Sequence, residues 1–140
     1  MTSCAYPVPV QSVRLSSKNA ENTHAVMYEN GQPVTFTEGQ TVRFYCQVNG
    51  SYPEPRVRVL VGGGDGRDIT RLFQKSVQLV RDGPPGGLQT FYYKVDLVDE
   101  SLVIDYEFSG RQLRCVAGDP FDLLPVSSIA VNVSLTGCTY

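Results

Sequence analysis

Apolar and polar residues alternate with a period of two along most of the chain, and no stretch of about 11 or more residues carries an apolar stripe at helical spacing. The pattern predicts an all-β fold. Thr41 to Val48 sets Val42, Phe44, Cys46 and Val48 on one face and Arg43, Tyr45 and Gln47 on the other. Arg56 to Val61 buries Val57, Val59 and Val61 in the same way. Tyr93, Val95 and Leu97 share a face, as do Leu113, Cys115 and Ala117, and finally Ile129, Val131, Val133 and Leu135. Weaker strands are expected at Ser12 to Leu15, Pro33 to Thr37, Ile69 to Phe73 and Ser76 to Val80.

Glycine and proline punctuate these runs: GSYPEP after the Cys46 strand, GGGDGRD after the Val57 strand, RDGPPGG before Phe91 and GDP after Cys115. Seven to nine short antiparallel strands separated by such turns favour a sandwich over a barrel. No repeat or linker divides the chain, so residues 1–140 are read as one domain with the sandwich core at about 33–136. Residues 1–32 supply a first strand and a polar insertion; 16–30 reads as a surface loop, with Tyr28, Tyr92 and Phe121 taken as exposed.

The chain has 140 residues with 12 Lys+Arg against 14 Asp+Glu, a formal net charge of -2, which favours neither nucleic acid nor an anionic membrane. No apolar run approaches the ~20 residues of a spanning helix. Four cysteines, Cys4, Cys46, Cys115 and Cys138, fit neither a zinc template nor a CxxC redox motif, and wide spacing in even number suggests disulfides. An extracellular, cell-surface location is therefore expected, with any leader or membrane segment outside these residues. The lone histidine, His24, lies in the polar segment and offers no Ser-His-Asp or Cys-His arrangement. No enzyme activity and no cofactor are expected. Gly62 to Gly66 lacks the Lys-Ser/Thr of a phosphate-binding loop and reads as a hairpin turn, and the acidic Asp99, Glu100, Asp105 and Glu107 read as a solvated loop between strands.

Cys46 and Cys115 stand 69 positions apart on inward faces of well-alternating strands, so two facing sheets could join them through the core. The run Glu38-Gly39-Gln40-Thr41-Val42-Arg43-Phe44-Tyr45-Cys46 resembles the approach to strand B of the immunoglobulin superfamily. Pro53 to Val59 resembles its B–C loop and strand C, and Leu113-Arg114-Cys115-Val116-Ala117 resembles strand F. The resemblance implies an immunoglobulin-like Greek-key sandwich over about Pro33 to Leu135. Two departures stand out: there is no Trp, and Val59 takes the place where the family packs one, so Phe44 or Tyr93 must fill the volume. Leu113 stands where the family commonly has the tyrosine-corner Tyr, and Tyr106 is out of register for that role. Leu113 resembles I-type domains and the 69-residue separation a variable-type one, a mixture similar to that of invertebrate recognition and adhesion receptors.

The remaining pair, Cys4 and Cys138, is expected to bond if the first ~10 residues fold back, removing about 4–5 kcal/mol of unfolded-state entropy. Asn49-Gly50-Ser51 and Asn132-Val133-Ser134 match the N-glycosylation pattern, the first in a turn and the second on a strand facing solvent. The resemblance points to the outer face of the G-F-C sheet as a docking surface, where Arg56, Arg58, Leu60, Gln112, Arg114 and Val116 would face outward, arginine beside exposed apolar residues. The expected function is noncatalytic recognition or adhesion by protein–protein contact, with a second copy of the chain among the candidate partners. A secreted recognition protein binding through end loops Gly62 to Gly66 and Gly118 to Leu124, or a spacer module, are the alternatives.

Overall fold

The structure is a computed structural model and describes residues 8–18, 25–62, 66–119 and 126–137. Among the described residues, ten strands are arranged in two stacked sheets. In chain order they are β1 (Ser12–Lys18), β2 (Val26–Met27), β3 (Gln32–Thr37), β4 (Gln40–Ser51), β5 (Arg56–Val61), β6 (Arg67–Asp68), β7 (Gln74–Asp82), β8 (Thr90–Ile104), β9 (Gln112–Gly118) and β10 (Ser127–Thr136). One sheet runs β2-β1-β4-β8-β7 and the other β3-β10-β9-β5-β6. Every pairing is antiparallel except β3 with β10, which is parallel.

Alternation dictates the core. Val42, Phe44, Cys46 and Val48 of β4 and Val95 and Leu97 of β8 are buried from one sheet, and Val59, Leu113, Cys115, Ala117, Val131 and Val133 from the other. Cys46 and Cys115 form a disulfide between the sheets, with Cα atoms 6.1 Å apart. Cys4 and Cys138 lie outside the described residues.

The Trp-less core is filled by Phe44, buried as expected, and by Tyr28, which was not expected inside. β2 folds back on β1, and the Tyr28 amide donates to the Leu15 carbonyl at 3.0 Å. That turns the Tyr28 ring inward to stack on Phe44, 6.0 Å between centroids, with its hydroxyl hydrogen-bonded to Ser17. Burial outweighs that hydrogen bond and raises the phenol's pKa above 10.0. Tyr93 is only half-buried and stacks instead on Tyr52, while Tyr92 is half-buried and Phe121 lies outside the described residues.

Two bulges reset the alternation. In β4, Gly50 is the extra residue between the Asn49–Lys94 and Ser51–Tyr93 pairs. It adopts φ +96°, and a Cβ there would meet Gln11 Cγ at 2.5 Å, so only glycine fits. In β8, Glu100 and Ser101 together oppose Arg43, which moves the inward positions from Val95 and Leu97 to Leu102 and Ile104. Asp99 and Glu100 are thus strand residues rather than part of a loop.

The strand expected at Ile69 to Phe73 is a 3-10 turn over Thr70–Leu72. Asp68 accepts from the Thr70 amide at 2.9 Å and from its hydroxyl at 2.5 Å, and the Thr70 hydroxyl accepts from the Val59 amide at 2.9 Å. The two bonds to Asp68 are local and compete with strand pairing, and the bond to Val59 fastens the turn onto β5. Ile69 and Phe73 are still buried, one at each end of the turn.

Candidate functional site

Register sets the side chains on the outer face of β5, β9 and β10 in cross-strand rows. Arg58 pairs with Val116 and Val116 with Ser128; Leu60 pairs with Arg114 and Arg114 with Ala130. Arg56 stands opposite Gly118, and Gln112 opposite Asn132. The six residues singled out from the sequence are therefore brought together on one face.

Their exposure is not as expected. Arg56, Arg58 and Gln112 are exposed, Arg114 is half-buried, and Leu60 and Val116 are buried at 9% and 8% exposure. Neither belongs to the inter-sheet core; with Ala130 at 9% they make a separate apolar patch on the far side of the sheet. Central strands explain the difference, because each apolar position is flanked on both sides: Leu60 lies between Asp68 and Arg114, and Val116 between Arg58 and Ser128. Long arginine stems cover such positions while keeping their charge in water.

Among the described residues, no ion pair involves Arg56, Arg58 or Arg114; the pairs formed are Arg43–Glu100, Arg67–Glu107 and Lys75–Glu54. The Arg114 Nε is buried with no hydrogen-bond partner, leaving a desolvated donor at the centre of the face. Asp68 is a carboxylate beside this surface, opposite Leu60. The two Thr70 hydrogen bonds, and next the positive charges of Arg58 and Arg71, hold it below its usual 3.8.

Asn132 is exposed on the same face, its amide nitrogen donating to the Gly31 carbonyl at 3.1 Å. Asn49 lies within β4 rather than in a turn, with its Oδ1 buried and unpartnered, and Ser51 of that motif is buried with its hydroxyl donating to the Pro53 carbonyl at 3.0 Å. The four acidic residues near the β8–β9 connection each have a local partner. Asp99 accepts from the Ser101 amide, Glu100 pairs with Arg43, Asp105 accepts from the Glu107 amide and Glu107 pairs with Arg67. No group of His, Cys, Asp and Glu among the described residues is placed to hold a metal ion. His24, Gly63 to Asp65 and Pro120 to Leu124 lie outside the described residues.

Neither a protein-family model nor a curated protein matches the chain in sequence. The two-sheet, all-β sandwich with its inter-sheet disulfide stands on the geometry alone.

Proposed function

We propose that this chain is an immunoglobulin-like domain of an extracellular, cell-surface receptor, and that it acts without catalysis, in recognition or adhesion, by docking a protein on the outer face of β5, β9 and β10. The strand orders support the fold reading. β1-β4-β8-β7 and β10-β9-β5-β6 follow the A-B-E-D and G-F-C-C′ orders of such domains, with the disulfide joining the strands that correspond to B and F.

The observation that carries the functional reading is the face itself: three arginines that form no ion pair with another described residue, set among the nearly dry Leu60, Val116 and Ala130. Arginine is enriched in protein interfaces, and its fork pairs bidentately with carboxylates. The partner surface is therefore acidic around a small apolar centre.

Sedimentation velocity from about micromolar to near-millimolar concentration tests the self-recognition form, in which the arginine face of one copy meets an acidic surface elsewhere on a second, since two arginine faces repel each other. A reversible dimer that dissociates with added salt and is abolished by Arg58→Glu with Arg114→Glu supports it. The heterophilic form is tested by labelled multimers of the domain on cells, where the same folded double variant loses binding. A dimer, or cell binding, that is indifferent to both substitutions removes this face from consideration.

A further inference from the structure

A concave site lies at the end of the sandwich, where the chain crosses from β8 to β9 below β5 and β6. It is a cleft of about 380 Å³, within the range typical of small-ligand sites. Its floor is apolar, made by the buried side chains of Val61, Ile69 and Phe108. Tyr106 forms a wall, 72% exposed although its ring borders the cleft.

The rim is charged and unbalanced. Arg67 and Glu107 pair with each other, leaving Arg111 as a guanidinium with no ion pair among the described residues. Its backbone is fixed on both sides: the amide donates to the Phe108 carbonyl at 3.1 Å, and the carbonyl accepts from the Val133 amide at 2.9 Å. The guanidinium extends over Gly62, where a Cβ would lie 3.7 Å from its Nη1. An apolar floor beside an arginine that forms no ion pair with another described residue is complementary to an apolar group that carries a single negative charge. A dianion such as phosphate is disfavoured by Glu107 on the same rim, and a cation by both arginines.

We propose that this cleft binds an apolar group bearing a carboxylate, its body on Val61, Ile69 and Phe108 against Tyr106 and its carboxylate on Arg111. A free aromatic acid and the C-terminal apolar residue of a peptide share this chemistry. The inference does not depend on the recognition-face reading, because none of the cleft's lining residues is among the six named on that face.

The test is an amide-resolved NMR titration of the folded, oxidised chain with 2-naphthylacetate, its neutral amide, and N-acetyl-Gly-Leu with a free C-terminus. Saturable shifts are expected at Ile69, Phe108 and Arg111, with the neutral amide bound about tenfold more weakly, the loss expected for one charge-assisted hydrogen bond. Arg111→Gln should bring the acid down to the level of the amide while leaving the amide's own affinity unchanged. Tyr106→Ala, an exposed substitution, should weaken both. Tighter binding of the peptide or of the naphthyl acid identifies the source. The proposal is overturned by shifts that do not saturate by about 10 mM for either carboxylate, by shifts centred elsewhere, by equal affinity for acid and amide, or by an Arg111→Gln chain that binds the acid like wild type.

Discussion

At Thr70 one hydroxyl serves two partners: it accepts from the Val59 amide in β5 and donates to Asp68. Thr70→Val keeps the shape and removes both bonds, leaving the amide of a fully buried residue without an acceptor. The expected loss is about 1–3 kcal/mol in urea denaturation, the usual cost of an orphaned buried donor. The same network sets a pH dependence. Asp68 is held below 3.8, so its contribution to stability is complete above the ordinary carboxylate range and is lost as pH falls through its lower folded value. Melting curves between about pH 5 and 2 should fall more steeply for wild type than for the Thr70→Val chain, and Asp68 should titrate below its ordinary value by NMR. Single residues also mark where reading the sequence stopped. Val59 and Phe44 declare themselves by alternation, whereas Tyr28 lies in a polar run and becomes a core residue only because a two-residue strand turns it inward.

Strands with unbroken alternation are the ones that the sequence displays: β4, β5, β9 and β10 were all legible from their apolar faces. β8 was half legible, because the bulge at Glu100 and Ser101 shifts the inward set by one residue, and a period-two pattern read across it fails. β2 and β6, two residues each, carry no periodic signal, and the Thr70 turn imitates a strand in composition while its hydrogen bonds are local. β7 shows a different limit. Val77 and Leu79 pair with Val95 and Tyr93, so they face the inner side of their sheet, yet they remain 40% and 51% exposed. The opposing sheet ends at β6, only two residues long, and does not reach across to cover them. An edge strand with uncovered apolar side chains is a template for unwanted pairing. Val77→Lys with Leu79→Lys should therefore leave stability within about 0.5 kcal/mol while delaying the onset of turbidity on heating at high concentration. A stability loss well beyond that would mean that these side chains are packed in solution.

On the scale of the whole molecule, the sandwich and its Cys46–Cys115 bond follow from two inward cysteines in two alternating strands. The outer face of β5, β9 and β10 was legible as a set of outward positions. The burial of Leu60 and Val116 was not, because it depends on strands that meet only after folding, β6 with β5 and β10 with β9. The cleft was illegible for the same reason: Val61 and Ile69 come from one sheet edge and Phe108 and Arg111 from a connection some forty positions later. The disulfide has one more consequence, a mechanical one. Residues 46 to 115, a separation of 69, form a closed loop that tension applied at the two ends cannot lengthen. Where no bond joins Cys4 to Cys138, β1 and β10 can peel from their sheets, but the stretch then stops at the Cys46–Cys115 bridge, so the domain is a tether with a built-in limit. In a chain with Cys4 and Cys138 replaced by serine, reduction under load should release roughly a further 230 Å of contour, at about 3.4 Å per residue.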